Sequence, residues 1–313
     1  MPDSAIVVDG LVKRYGQVEA LAGIGFTVER GSILAVLGHN GAGKTSLVDI
    51  LSTRAKPTAG NASVCGFDVV RAGRQVRRKI GVTGQYAALD DAASPWENLR
   101  LLARLLGANS QQARRRADEL ISLFELGTHA ELPARLCSGG LRRRLDLAAS
   151  LVGSPEVLFL DEPSTGLDPV SRSGLWDTVA GLAGAGTTVV LTTQYLEEAD
   201  RLADDVIVLG LGHITLAGSP ARLKSTLGSQ VVALTLENPF ASERLAGRIA
   251  GLGLPVTRRG VSEIAVAVAG PADIVGLVRL ADDEGVPLCG FTVTEPTLDD
   301  VYRSLHQPVA VPS

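Results

Sequence analysis

Eight consecutive residues, Gly38-His39-Asn40-Gly41-Ala42-Gly43-Lys44-Thr45, follow the pattern G-x-x-x-x-G-K-[ST]. Glycines let successive backbone N–H groups turn inward around phosphate oxygens. Lys44 supplies a cation to the β- and γ-phosphates, and Thr45 offers a hydroxyl to Mg²⁺. A helix starting at Thr45 and Ser46 would point its positive end at the same phosphates. Gly38, Asn40, Gly41, Ala42, Gly43, Lys44, Thr45 and Ser46 are therefore candidate nucleotide-binding residues. A second site is Val157-Leu158-Phe159-Leu160-Asp161-Glu162. An apolar strand ending in Asp-Glu sets two acids at the edge of a parallel sheet, where a phosphate loop also opens. Asp161 suits Mg²⁺ held through water, and Glu162 suits polarisation of an attacking water.

The elements that must position these residues are readable. The continuous apolar run at 32–37 and the runs at 157–160 and 187–193 fit strands buried on both faces. Leu47, Ile50 and Leu51 have helical spacing, and 170–183 reads as a further helix. Residues 97–126 and the stretch after Gly140 are also helical. The first thirty residues read as short strands ended by Gly. Strands alternating with helices predict an α/β domain with a parallel core sheet. From 230 the order is strand, helix, two strands, helix, strand, a βαββαβ or ferredoxin-like α+β arrangement, with Gly260 at the central hairpin. A closing helix follows, with Thr297 as its N-cap. The expected division is 1–217, a linker at 218–229, an accessory domain at 230–307 and a tail at 308–313.

The 313 residues are 45% apolar and 20% charged, enough for a core and unlike a disordered chain. The net charge of −4 argues against nucleic acid as a partner. Three widely spaced cysteines, Cys65, Cys137 and Cys289, form neither a disulfide framework nor a metal-ligand spacing. The N-terminus has no secretory h-region, and no apolar run reaches the roughly 18 residues of a membrane span.

Further motifs bring a family into view. The chain resembles the ATP-binding subunit of ABC transporters. Cys137-Ser138-Gly139-Gly140-Leu141 looks like the family signature, usually written LSGGQ. Pro163 to Asp168 looks like the D-loop, Gln85 sits at the Q-loop position, Tyr15 where an aromatic stacks on adenine, and Gln194 at the switch position. CSGGLRRRLDLAASLVGSPEVLFLDEPSTGLDP, TTQYLEEAD and EPTLDDVYRSL resemble the branch of daunorubicin/doxorubicin-type drug exporters. The resemblance implies ATP and Mg²⁺ as ligands, with Thr45, Gln85 and Asp161 on the metal side. Catalysis would fall to Glu162, Gln194 and Gln85. Ser138 and Gly139 would approach ATP from a second, head-to-tail copy, and Gly140 and Asp168 are further ATP-binding candidates. It further implies a helical subdomain at about 88–150, a mixed sheet, a separate integral membrane permease as partner and a peripheral place on the cytoplasmic face of a bacterial membrane.

Two departures carry consequences. Cys137 replaces the usual signature Leu, an apolar exchange that reads as packing. Gln194 stands where most of the superfamily has His, and an amide can hydrogen-bond but cannot take up a proton. Arg142, Arg143 and Arg144 read as the solvated or acid-paired start of the signature helix, and Arg114 to Arg116 as a solvated helix face. Trp96 fits either the core or a groove for a membrane partner. The expected function is powering export of a hydrophobic drug. Export of lipid or other cargo, import, and a non-transport ATPase are the rival readings. The accessory domain reads equally as sensor, dimer clamp or brace.

Overall fold

Apolar residues alternating with small and polar ones through the first thirty positions form two long antiparallel strands, β1 (Ser4–Tyr15) and β2 (Val18–Glu29). The structure, a computed structural model, describes residues 4–83, 89–226 and 230–306. β1 ends at Tyr15, immediately before Gly16, where the sequence reading ends the strand. It passes through a register shift between Val8 and Leu11, with Gly10 at φ 56°. The backbones approach closely here: a Cβ on Gly60 would lie 2.1 Å from the Gly10 carbonyl oxygen.

β3 (Ile33–Leu37) is buried at all five positions and runs through the glycine loop into α1 (Lys44–Leu51). Then come β4 (Ala59–Val64), β5 (Phe67–Asp68), α2 (Gly73–Arg77) and β6 (Ile80–Thr83). Three helices precede the next strand: α3 (Pro95–Leu105), α4 (Ser110–Leu123) and α5 (Gly139–Ser150). β7 (Val157–Asp161), α6 (Pro169–Gly184), β8 (Thr188–Thr193), α7 (Leu196–Leu202), β9 (Asp205–Gly210) and β10 (His213–Gly218) complete the set up to Gly218.

Two sheets result. One is antiparallel, in the order β2-β1-β4-β5, and the other runs β10-β9-β3-β8-β7-β6. The neighbours β9, β3, β8, β7 and β6 pair in parallel. α1 lies in the core with residues of both sheets, and Leu47, Ile50 and Leu51 are fully buried there beside Leu11, Leu21, Val36 and Phe159. Burying each such side chain contributes about 2 kcal/mol.

α3 and α4 form a capped helical hairpin. Ser94 and Glu97 close a capping box at the first helix, and Asn109 and Gln112 close one at the second. Buried Asn98 accepts from the Asp90 N–H and donates to the carbonyls of Asp90, Ala93 and Ser94, which pins the segment entering α3. Arg116 is not on a solvated face. It donates to the carbonyls of Leu151 at 2.6 Å and Val152 at 3.3 Å, tying α4 to the end of α5.

Contacts divide the chain into two units, Met1–Ala217 and Gly218–Ser313. The second unit holds α8 (Pro220–Ser225), β11 (Gln230–Leu236), α9 (Ser242–Gly251), β12 (Val256–Arg258), β13 (Glu263–Val268), α10 (Pro271–Asp283), β14 (Leu288–Thr294) and α11 (Leu298–His306). Its sheet order is β12-β13-β11-β14, with every neighbour antiparallel. Gly260, at φ 95°, lies in the turn between β12 and β13. Val232, Leu234, Ile264 and Val266 pack with Leu245, Ile249 and Leu277 of α9 and α10. Thr297 accepts from the Asp300 N–H and caps α11.

Candidate functional site

Parallel pairing brings three strand ends to one level: Leu37 pairs with Thr193, and Asp161 with Thr192. The loop after β3, the acids after β7 and the polar segment after β8 thus meet at the carboxyl edge of the sheet, where α/β sheets bind ligands.

The glycine loop is shaped by contacts that exclude side chains. A Cβ on Gly38 would lie 2.7 Å from the Leu209 carbonyl oxygen. One on Gly43 would lie 2.3 Å from the Ala20 carbonyl oxygen, and Gly43 has φ 107°. Gly41 also takes a positive φ, 82°. Ala42 is buried, whereas Asn40, Gly41 and Thr45 are exposed and Ser46 is half-buried. Lys44, the first residue of α1, is only 5% exposed. Its Nζ donates to the carbonyls of Gly38 at 2.6 Å and His39 at 3.2 Å and stands 3.6 Å from Glu162 Oε1. The loop's own carbonyls therefore fix the cation at the loop mouth.

Thr192 organises the two acids. Its hydroxyl donates to Asp161 Oδ1 and accepts from the Glu162 N–H at 3.1 Å, and its carbonyl accepts from the same N–H at 3.1 Å. Glu162 takes φ 48°, a conformation costing a non-glycine residue about 1 kcal/mol or more. The turn aims its carboxylate back toward Lys44. Gln194 Nε2 donates to Glu162 Oε1 at 2.9 Å, and Thr165 Oγ1 donates to Oε2 at 3.4 Å. Lys44, Glu162 and Gln194 therefore converge.

The hard oxygens of Asp161 and Thr45 at this edge fit Mg²⁺. Among the described residues no cluster of three His, Cys, Asp or Glu forms a cage for a metal.

The signature residues lie at the start of α5. Ser138 is its N-cap, accepting from the Leu141 N–H at 3.4 Å, and Gly139 and Gly140 form the first turn. A Cβ on Gly140 would come within 2.9 Å of Ser171 Oγ. Asp168 caps α6: its carboxylate accepts from the N–H groups of Val170 and Ser171, each at 3.0 Å, and from Ser171 Oγ at 2.6 Å. These bonds, the Ser171 hydroxyl first, hold its pKa below the usual carboxylate range. Tyr15, at the end of β1, is half exposed, with Lys13 Nζ 4.6 Å from its ring centroid. Gln85 lies outside the described residues. Trp96 is half-buried; its Nε1 donates to Asp118 Oδ1 at 2.7 Å and the Arg100 guanidinium lies over its ring.

The three arginines of the signature helix part company. Arg142 pairs with Asp91 and Arg144 with Glu125, as acid pairing predicts. Arg143 is neither solvated nor paired at its surface. It turns inward and donates to the carbonyls of Asp161 at 3.1 Å, Glu162 at 2.8 Å and Pro163 at 2.7 Å. Burial lowers its pKa, and the nearby acids Asp146, Asp161 and Glu198 work against that. Sequence reasoning missed Arg143, Thr192 and the fully buried Glu198, which accepts from Trp176 Nε1 at 2.9 Å. No local pattern separates an inward arginine from two outward neighbours.

A phosphate loop opening a helix, with a facing carboxylate and amide across a parallel sheet edge, defines a P-loop nucleotide-binding ATPase. The model of the ABC transporter family matches residues 21–165. The daunorubicin resistance ATP-binding protein DrrA3 of Streptomyces coeruleorubidus is 45% identical over 312 residues, 97% of this chain and 96% of that protein. The daunorubicin/doxorubicin resistance ATP-binding protein DrrA of Streptomyces peucetius is 41% identical, over 97% and 93% of the two chains. Among solved structures, cbiO1 from Clostridium perfringens, part of the ABC transporter complex cbiONQ, matches with a TM-score of 0.66 and 25% identity over 79% of this chain and 94% of that one. The chain belongs to the ABC transporter family and is an ABC-type ATPase.

Proposed function

We propose that this chain is the ATP-binding and hydrolysing subunit that powers a separate membrane permease exporting a hydrophobic drug-like molecule. The observation that carries the reading is the convergence of Lys44 and Gln194 on Glu162 at the mouth of the phosphate loop, at 3.6 and 2.9 Å. The near full-length identity to drug-resistance ATP-binding proteins supports the cargo class.

In this reading residues 1–217 bind the nucleotide and 230–307 form the accessory domain. Backbone N–H groups from Gly38 to Thr45 cradle the phosphates, and Lys44 Nζ neutralises the β- and γ-phosphates. Tyr15 stacks on adenine. Thr45 and Asp161 would hold Mg²⁺, with Gln85 as the further ligand the family resemblance implies, and the ion would supply neutralisation of phosphate charge. Glu162 accepts a proton from the attacking water while Gln194 fixes the carboxylate. One cradle leaves the outer face of the γ-phosphate open. Ser138 and Gly139 of a second copy cover it, so ATP holds two copies together and hydrolysis releases them. Among the described residues no helix is long and apolar enough to cross a membrane, which leaves translocation to a partner.

The test is a gentle detergent pull-down of the tagged chain from its native membranes, with Glu162→Gln in parallel to hold the ATP-bound form. A polytopic membrane protein should co-purify. Recovery of ribosomal or DNA-bound proteins alone would refute transport.

A further inference from the structure

The bonds of Arg143 join two parts of the site that are far apart in sequence. α5 is capped by Ser138, begins at Gly139 and carries Arg143 about one turn later. From there the guanidinium holds three consecutive carbonyls, those of Asp161, Glu162 and Pro163. The middle one belongs to Glu162, which already sits in a left-handed conformation. An Arg fork fits several fixed acceptors at once, whereas a Lys ammonium acts as a point charge. Asp146 on the same helix, Asp161 on β7 and Glu198 on α7 act on the charge of Arg143. Glu198 is fully buried, and its Oε2 is a buried atom with no hydrogen-bond partner. The three Arg143 bonds tie α5 directly to the backbone of Glu162.

We propose that Arg143 is a positioning residue that couples the two ATP sites of the assembled pair. Ser138, at one end of the rigid α5, faces the ATP bound by the other copy. Arg143, further along the same helix, sets the backbone of Glu162 facing this copy's own ATP. Occupation of one site thus orders the general base of the other, and the coupling is reciprocal for binding. The inference rests on the head-to-tail reading above.

The full-length chain is assayed for steady-state ATP turnover as wild type, Arg143→Lys and Arg143→Met. The wild type should be cooperative in ATP, with a Hill coefficient near about two. Both variants should fall to about one, with kcat down about tenfold and ATP KM within about twofold. Fluorescent ATP-analogue binding and the melting temperature are read alongside. Arg143→Lys keeps a cation and the apolar stem, so it decides the matter if Arg143→Met fails to fold. An unchanged Hill coefficient in a folded variant overturns the coupling. So does a fall in melting temperature and ATP affinity together without loss of cooperativity. ATP-driven pairing of Glu162→Gln separates the two levels. If that variant does not pair, the head-to-tail reading fails and takes this inference with it. If it pairs while Arg143→Lys stays cooperative, the coupling alone is refuted.

Discussion

Gln194 Nε2 donates to Glu162 Oε1 at 2.9 Å, so the amide and the carboxylate proposed as general base form one hydrogen-bonded pair. The amide can orient the carboxylate but carries no titrating proton of its own. Gln194→Ala should lower kcat about tenfold and leave the ATP KM unchanged, because the lost bond acts after binding. Gln194→His should retain turnover and add a break near about pH 6.5 to the pH–rate profile. Steady-state kinetics between pH 5.5 and 9 check both; a Gln194→Ala rate equal to wild type removes the positioning role.

Lys44 Nζ is nearly excluded from solvent and held by two loop carbonyls. Lys44→Met keeps the stem volume and removes the charge. Turnover should fall about a hundredfold or more, with the melting temperature almost unchanged. Equilibrium nucleotide binding and differential scanning calorimetry separate these outcomes.

Gly43 answers a different demand. Its φ of 107° and a prospective Cβ only 2.3 Å from the Ala20 carbonyl leave no room for any side chain. Gly43→Ala should cost about 3 kcal/mol or more, by strain and clash together. Denaturant unfolding measures it. A stable, ATP-binding Gly43→Ala protein would show that the loop can be rebuilt.

The Asp300 carboxylate is 3% exposed and pairs with Arg259, while the Thr297 N–H and hydroxyl donate to its other oxygen. Burial alone would raise its pKa; the Arg259 and Thr297 donors outweigh burial and hold it low. A carboxylate depressed on folding stabilises the native state above its unfolded pKa of about 3.9, and the contribution disappears as pH falls through the folded value. Asp300→Asn should therefore cost about 3 kcal/mol at pH 7, where Arg259 keeps only its 3.7 Å pairing with Glu263. The deficit should shrink below about pH 4. Thermal unfolding of the full chain at pH 7 and pH 3.5 checks the sign.

The chemistry was legible wherever it depends on short continuous patterns. The burial of Leu47, Ile50 and Leu51 follows from their spacing, and the phosphate loop follows from its glycines. What the sequence concealed depends on long-range pairing. The register shift of β1 between Val8 and Leu11 has no local signal; it sits where the backbones of Gly10 and Gly60 come together. Residues 205–218 fold into β9 and β10, two strands with no counterpart among the sequence expectations. The turn between them is set by Leu211 at φ 50° and Gly212 at φ 80°, the two positive values of a primed hairpin turn. A solvent-exposed leucine is a poor signal for such a turn. β4 and β6 went unread because each is short and gains its definition from neighbouring strands. Arg143 was hidden in a run of three like residues whose directions are set by tertiary contacts.

The central claim is that Glu162 performs hydrolysis in a site that a second copy completes. The most direct test is light scattering of full-length Glu162→Gln with ATP and with ADP, alongside its turnover. The account predicts pairing with ATP but not with ADP, a turnover loss of about a hundredfold or more, and no pairing when Ser138→Arg is added. A Glu162→Gln protein that stays monomeric with ATP, or that hydrolyses at the wild-type rate, would contradict it.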